Sequence, residues 1–363
     1  MTFLCLLYLL ASLPAAQILG ANSVQISSWF WALGLGIGLS GLILSWKFKY
    51  PVATSWSTAG LALIIATGSG YSLHEAIGAF LLCGVLTAVL GFLGIFEKVL
   101  NTIPQSLTSA MLAGVLLKFG VALFTSLQEA WAFILCLLVG YVLAKRFSPR
   151  YSIVLTVLIG VALCPVFLQF QFPNVQWGLA QPVWMQPEFS WSVIFGLALP
   201  LFVINMASQY LPGLAMIKSY GYTPHVRHLI GWTGTAQALF APFGCFSVNI
   251  AAISLDDQSH PDSRKRYIAG ISCGLCYILM GIFAATLTSL LMSFPAVFIT
   301  ALAGIALLGT IGHNITLAFQ NTAEREAALL TFLFSASGVQ FFGIGSAFLG
   351  ADFWLCGFKH IQI

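Results

Sequence analysis

Apolar stretches of about 20 residues, long enough to cross a bilayer as helices, follow one another along almost the whole chain. Only 7% of its 363 residues are charged, whereas soluble domains carry roughly 25%. So few charged side chains cannot cover the surface of a water-soluble globule. The sequence therefore predicts an all-α polytopic membrane protein. It excludes a soluble enzyme, a nucleic-acid-binding protein and a disordered scaffold.

We predict fourteen transmembrane segments. Ten of them are uninterrupted, at 2–19, 29–46, 73–96, 104–125, 129–146, 150–170, 191–211, 225–241, 267–292 and 295–311. Two shorter ones, at 51–68 and 242–255, are interrupted by Pro, Gly and small polar residues. The tail at 322–358 is long enough for two short spans that break near Ser337-Gly338.

The basic residues support this count. If the N-terminus is cytoplasmic, every Lys and Arg except Lys118 falls on the cytoplasmic side. The linker at 171–190, which would then face outward, contains neither Lys nor Arg, whereas the inward linker at 256–266 ends in Arg264, Lys265 and Arg266. The positive-inside rule requires such an asymmetry. We therefore expect an inner (cytoplasmic) membrane protein with both termini in the cytoplasm.

Two matches at one shift of 190–191 residues indicate an internal repeat. Pro51-Val-Ala-Thr-Ser55 lies over Pro242-Phe-Gly-Cys-Phe246, and Leu112-Ala-Gly114 lies over Leu302-Ala-Gly304. Each half holds seven spans, an odd number, so the second half must be inverted relative to the first. Inverted repeats with interrupted helices at matching places are typical of secondary transporters.

The two interrupted spans predict a binding site. Pro51 and Pro242 fix φ and lack an N–H group, which favours an extended entry into each span. We predict short strands at 52–55 and 243–246 that pair inside the protein, each leading into a half-helix. The free N–H groups and positive dipole ends of two half-helices would form an anion site. The alternative is that both segments are kinked packing helices.

The stretch from Leu197 to Gly213, LALPLFVINMASQYLPG, resembles the eighth-span signature of the benzoate membrane transport protein family of benzoate/proton symporters. PVATSWSTAG (51–60), APFGCFSVNIAA (241–252) and GIGSAF (343–348) are similar to its third, tenth and last spans. The resemblance implies a seven-plus-seven inverted-repeat fold shared with nucleobase and SLC26-type anion transporters. It implies a core domain at 1–103 and 191–292, and a gate domain at 104–170 and 295–363.

The resemblance also implies which side chains hold the substrate. The related nucleobase carriers have acidic residues in the eighth and tenth spans, at positions that match Gln209 and Asn249. Neutral amides suit an anionic substrate, because a buried carboxylate beside it would repel it. The chain departs from the family at Tyr210, where members usually have Asn, and at Asn205, where they have Thr.

The predicted substrate site combines short polar residues with aromatic ones around the crossing point. It comprises Thr54, Ser55, Trp56, Ser57, Ser208, Gln209, Phe243, Gly244, Cys245, Phe246, Ser247 and Asn249. The three aromatic side chains could sandwich an aromatic ring, with plain core packing as the alternative. Candidates for proton coupling are Lys118, Asp352 and His313. For Lys118 the alternative is snorkelling to the membrane surface, and for Asp352 a structural polar contact.

No phosphate loop, catalytic triad, nucleotide motif or metal-ligand spacing occurs, so we expect no cofactor, no metal and transport driven by an ion gradient. The sequence predicts a secondary transporter that imports benzoate or a similar aromatic carboxylate with protons by alternating access. Its partners would be that substrate, protons and the lipid bilayer, without nucleic acid, and a homodimer is left open. The alternatives are a carrier of another small organic anion or a nucleobase-like compound, an anion channel, and a membrane sensor.

Overall fold

The chain is built almost entirely of helices. The computed structural model describes residues 12–96, 105–170, 177–219, 221–251, 265–337, 340–341 and 344–345. Within these residues, five helices are individually long and apolar enough to cross a bilayer, and a sixth span results if one bent pair counts as a single crossing. The protein therefore crosses the membrane several times, and the total of fourteen spans stays a prediction.

The first half of the chain contains seven helices and one strand within the described residues. They are α1 (12–18), α2 (Ser23–Phe48), β1 (Thr54–Ser55), α3 (Thr58–Thr67), α4 (Leu73–Leu93), α5 (Gln105–Thr125), α6 (Leu127–Phe147) and α7 (Ser152–Phe167). Capping boxes at Asn22 and Ser72 start α2 and α4. Each cap satisfies N–H groups that have no acceptor inside the helix.

The second half begins with α8, a continuous helical run over 191–219 that contains π-helical turns at Ile194–Ala198 and Met206–Tyr210. The elements that follow are α9 (Val226–Phe240), β2 (Asn249–Ile250), α10 (Tyr267–Ile282), α11 (Ala284–Ser293), α12 (Ala296–Gln320), α13 (Arg325–Ser337), β3 (Gln340–Phe341) and β4 (Ile344–Gly345). A bend of 70° separates α10 from α11.

The end of the chain differs from the prediction in two places. Helix α12 continues to Gln320, past the predicted span end at 311. Helix α13 ends at Ser337, as predicted, but Gln340–Phe341 and Ile344–Gly345 then pair antiparallel as β3 and β4 at the start of the predicted second short span. The rest of that span lies outside the described residues.

Glycine contacts hold α2 against α10 and α4 against α9. A Cβ atom placed on Gly38 would lie 2.6 Å from the carbonyl oxygen of Gly274, and one on Gly91 would lie 2.3 Å from the backbone nitrogen of Gly231. Neither distance leaves room for a side chain. Small residues allow membrane helices to approach this closely, so these four helices form a tightly packed group.

The remaining long helices form other pairs. Helix α5 packs against α12 and α13, and α6 packs against α7. Helix α3 and the π-helical turn Met206–Tyr210 both contact α5. The short helix that follows β1 and the middle of α8 therefore lie next to this second set of helices.

Strands β1 and β2 pair antiparallel in the interior, with Thr54 opposite Ile250 and Ser55 opposite Asn249. All four residues are buried. The pairing satisfies backbone groups that would otherwise be unbonded in an apolar environment, which is costly. It brings residues from the two halves of the chain to one place.

The predicted strand at 243–246 is wrong. Ala241–Phe243 form a 3₁₀ turn that continues from α9, Gly244 has a left-handed φ of 107°, and β2 starts only at Asn249. Proline is well suited to the first positions of a helical turn, where no N–H group is needed, so Pro242 did not force an extended start. The half-helix predicted after β2 lies outside the described residues.

The described part of the linker between α7 and α8 is hydrogen-bonded to α2, to the end of α10 and to the 3₁₀ turn after α9. Its backbone amides at Ala180, Val183 and Met185 donate hydrogen bonds to Ile282 O, Ser28 Oγ and Pro242 O, at 2.9, 2.9 and 2.8 Å. Trp177 and Trp191, at its two ends, are largely exposed. Exposed tryptophans are typical of a membrane–water interface.

Candidate functional site

The N-terminus of α3 is buried directly beside the paired strands. Ser57 is its N-cap: the Ser57 Oγ accepts a hydrogen bond from the Gly60 N–H at 2.9 Å. The Ser57 N–H in turn donates to Ser247 Oγ at 3.0 Å. The N–H groups of Thr58 and Ala59 have no acceptor within the helix. Together with the helix dipole they provide a positive, buried end that favours an anion.

The Asn249 side chain lies next to the N-terminus of α3, and one of its amide atoms has no hydrogen-bond partner among the described residues. The Asn249 side chain is fully buried and its Nδ2 donates to Ser247 Oγ at 2.6 Å, while its Oδ1 has no hydrogen-bond partner among the described residues. Because amide nitrogen and oxygen are assigned from the hydrogen-bond network, the reversed orientation is equally allowed. Ser247 would then donate its hydroxyl hydrogen to Oδ1, and Nδ2 would be free to donate to an anion.

Asn205 on α8 is a second buried amide, and the sequence analysis did not place it in the site. The Asn205 Nδ2 contacts Cys83 Sγ at 3.8 Å, and its Oδ1 has no partner among the described residues. A Cβ on Gly60 would lie 3.3 Å from that Oδ1. The missing side chain at Gly60 therefore lets Asn205 approach the first turn of α3.

The π-helical turn Met206–Tyr210 presents further polar groups between β2 and α5. Ser208 and Gln209 are half-buried there. The Ser208 hydroxyl donates to Ile204 O at 2.7 Å, so it is engaged within its own helix. Tyr210 is fully buried, and its hydroxyl bonds Val248 O at 2.9 Å. Tyr210 therefore fixes the backbone at Val248, just before β2, by a hydrogen bond from α8.

Not every predicted site residue faces the N-terminus of α3. The Thr54 hydroxyl donates to Ile37 O of α2 at 2.8 Å. Ser55 lies opposite Asn249 in the strand pair. Hydrogen bonds join Ser247 to both Asn249 and Ser57. The structure brings these four together.

The predicted aromatic sandwich is not assembled around the strands. Phe246 is fully buried, with ring centroids 5.8 Å from Trp29 and 6.1 Å from Phe80. Phe243 instead packs edge-on against Trp31 and Trp184, each at 5.5 Å. Between them, Gly244 lies against the Trp29 backbone and Cys245 is buried. The four residues pack on or beside α2.

Trp56 lies at the strands, next to the α3 cap. It is 2% exposed, and its ring meets that of Tyr277 on α10 edge-on, with centroids 6.1 Å apart. Of the three predicted aromatic residues it is the one adjacent to the α3 N-terminus in the chain. It therefore remains a candidate contact for an aromatic substrate.

Residues 8–359 match the family model described as the benzoate membrane transport protein. Inner membrane protein YdcO of Escherichia coli (strain K12) is 39% identical over 340 residues, which are 93% of this chain and 87% of the relative. The benzoate membrane transport protein of Acinetobacter baylyi (strain ATCC 33305 / BD413 / ADP1) is 37% identical over 348 residues, 93% of this chain and 86% of the relative. The chain belongs to the benzoate membrane transport protein family.

Solved structures place this family member in a known fold. The transmembrane domain of a cyanobacterium bicarbonate transporter, BicA, superimposes with a TM-score of 0.64 at 14% identity, covering 93% of this chain and 94% of that one. The murine anion transporter solute carrier 26 family member A9, in its inward-facing state, gives 0.60 at 15% identity, covering 96% of this chain and 65% of that one. The benzoate transport family member is thus a membrane transporter with an SLC26-like transmembrane fold, and not an enzyme.

Two of the three candidates for proton coupling in this family member lie on helices that the structure describes. Lys118 is half-buried on α5, and His313 is exposed on α12. Asp352 lies outside the described residues. Ser57, Ser247 and Asn249, which the structure brings together, are all neutral, so these residues offer an anion dipoles and hydrogen-bond donors and no basic side chain.

Proposed function

We propose that this protein is a secondary transporter that imports benzoate or a similar aromatic carboxylate, together with protons, across the inner membrane. Membership of the benzoate membrane transport protein family supports the substrate class. The name of the YdcO relative supports the inner membrane. The absence of basic residues from the long linker supports an orientation with both termini in the cytoplasm.

In this proposal the substrate carboxylate lies at the N-terminus of α3. The observation that carries it is Asn249, a fully buried amide with one atom that has no partner within the described residues and that is linked through Ser247 to the Ser57 cap. A buried polar group left without a partner is destabilising. A carboxylate that accepted hydrogen bonds from this amide and from the first turn of α3 would remove that cost. Asn205 and Gln209 on α8 are further amides within the proposed site.

Alternating access would move one group of helices against the other. We assign spans 1–4 and 8–11, at 1–103 and 191–292, to a core, and spans 5–7 and 12–14, at 104–170 and 295–363, to a gate. The close glycine contacts within α2–α10 and α4–α9 support a rigid core. The contacts of α3 and of the π-helical turn with α5 would lie at the moving boundary. A fourteen-span inverted repeat would provide the symmetry for such a movement.

Proton coupling has an electrical reason. An anion that enters against a negative-inside potential costs roughly 2.3 kcal/mol per 100 mV. A proton carried in the same direction cancels the transported charge and removes this cost. Lys118, Asp352 and His313 remain the proposed candidates for the proton-carrying residue.

A ligand panel tests the substrate class. The purified protein in detergent is heated with benzoate, ring-substituted benzoates, aliphatic carboxylates and uracil, and the unfolding temperature is compared with that of the protein alone. A ligand that binds only the folded state raises this temperature. We expect stabilisation by aromatic carboxylates only. Stabilisation by uracil or by aliphatic carboxylates without benzoate would contradict the proposal.

A further inference from the structure

The segment 244–248, which connects the 3₁₀ turn after α9 to β2, is neither helix nor strand. Ser247 and Val248 within it are nevertheless fully buried. Buried backbone N–H and C=O groups need hydrogen-bond partners, and an irregular segment cannot supply them from its own regular pattern. Its conformation must therefore be held by other parts of the protein.

Gln237 on α9 supplies two of these partners. Its side chain is fully buried, and its Nε2 donates to Phe246 O and to Phe80 O on α4, both at 3.1 Å. Its Oε1 accepts a hydrogen bond from the Val248 N–H at 3.4 Å. A single carboxamide thus uses both of its hydrogens and its oxygen to tie the segment to two helices.

Val248 is held from its other side by Tyr210. The Tyr210 hydroxyl donates to Val248 O at 2.9 Å and shares a 2.8 Å hydrogen bond with Thr233 Oγ1 on α9. The peptide groups on either side of Val248 are therefore fixed by one side chain from α9 and one from α8. The residues on either side of Val248 meet at Ser247 Oγ, which lies 3.0 Å from the Ser57 N–H nitrogen and 2.6 Å from the Asn249 amide nitrogen. Fixing Val248 therefore holds Ser247 and Asn249 together at the start of α3.

We propose that Gln237 is a positioning residue for substrate binding: it does not contact the substrate but orients Ser247 and Asn249 toward it. This role rests on the proposed binding of an aromatic carboxylate at the α3 N-terminus. Glutamine is the residue that fits, because glutamate in its charged form cannot donate to the carbonyl oxygens of Phe80 and Phe246. Methionine has a similar length but neither donates nor accepts in this pattern.

The test compares Gln237→Met and Gln237→Glu with Thr235→Val as the matched control. Thr235 lies on the same helix, and its hydroxyl bonds only Gly231 O of its own helix, at 2.8 Å. Benzoate labelled with ¹³C at its carboxylate is titrated into each purified variant. The dissociation constant and the chemical shift of the bound carboxylate are both measured.

We expect Gln237→Met to weaken binding about tenfold, which corresponds to about 1.4 kcal/mol, because Ser247 and Asn249 are no longer held toward α3, and to move the bound carboxylate resonance. A purely structural role would lower the fraction of folded protein but leave that resonance where the wild type has it. Gln237→Glu should bind better at low pH, where the protonated acid can donate one hydrogen bond. Thr235→Val should match the wild type.

An unchanged affinity and an unchanged carboxylate resonance in both Gln237 variants would overturn the positioning role and leave the proposed function standing. If Gln237→Met does not fold, the pH dependence of Gln237→Glu decides the question alone. Failure of the wild type to bind benzoate would overturn the proposed function, and this role with it.

Discussion

Replacing Asn249 with aspartate puts a negative charge where we place the substrate carboxylate. The two side chains have the same shape, and Ser247 Oγ, 2.6 Å from the Asn249 amide, can donate its hydrogen to a carboxylate oxygen. The variant therefore fits the site sterically and changes mainly its charge. At an effective dielectric constant of about 20, two unit charges 4 Å apart repel by about 4 kcal/mol. This corresponds to close to a thousandfold loss of affinity.

Protonation limits that loss. The charged form of a fully buried aspartate beside an anion is disfavoured by burial and by repulsion, so the acid takes up a proton more readily. At low pH the acid is neutral and does not repel the substrate, and at higher pH the repulsion appears. We expect Asn249→Asp to bind benzoate nearly as well as Asn249→Ala below neutral pH, and far more weakly above it.

The dissociation constant of labelled benzoate from Asn249→Asp is measured at one pH below and one pH above neutrality. Asn249→Ala is the control, with a smaller loss that does not depend on pH. Gln209→Glu should show the same trend with a smaller amplitude, because Gln209 is only half-buried and water screens its charge. Wild-type affinity of Asn249→Asp at the higher pH would show that Asn249 does not face the anion.

Three further outcomes follow from the packing and the charge pattern. Gly60→Ala would place a Cβ 2.5 Å from a methyl group of α8, so overpacking should lower the free energy of unfolding by roughly 1–3 kcal/mol. Gly309→Ala, also inside a helix but with nothing within 4 Å of the added Cβ, should instead raise it by roughly 0.5–1 kcal/mol in the same chemical-denaturation experiment, because alanine is the better helix former. Tyr210→Phe should weaken benzoate binding without making it pH-dependent, because it removes a hydrogen bond to Val248 O. A cysteine in the linker 171–190 should react with an impermeant maleimide in whole cells, and one at 256–266 only after lysis. Reversed labelling would refute the orientation.

The sequence was sufficient for the membrane class and the family, because both depend on long apolar stretches and on contiguous motifs. Ser57, followed by small apolar residues, is a typical N-cap and caps α3 in the structure, but the sequence analysis had placed it only among the substrate-site residues. The position of β2 was not predictable in the same way. A two-residue strand has no measurable alternation, and Pro242 is as compatible with a helical turn as with an extended entry.

The polar residues around the site could not be assigned from the sequence either. Asn205 and Tyr210 on α8 and Gln237 on α9 are polar residues within apolar helices, and spacing alone does not say which face of its helix each one occupies. A π-helical turn at Met206–Tyr210 inserts an extra residue into the helix and so shifts the faces on either side of it. Phe243 and Phe246 were misplaced for a related reason, since aromatic residues that pack on Trp29 and Trp31 look the same in sequence as residues that line a site.

Uptake of labelled benzoate into proteoliposomes tests proton-coupled import most directly. The protein is reconstituted, the outside is acidified relative to the lumen, and uptake is followed with the membrane potential clamped at zero. Protein-free liposomes correct for diffusion of the neutral acid. The account predicts saturable uptake that exceeds this background, rises with the inward proton gradient, is abolished by a protonophore and does not change when sodium is removed. Saturable uptake that ignores the proton gradient and disappears without sodium would contradict it.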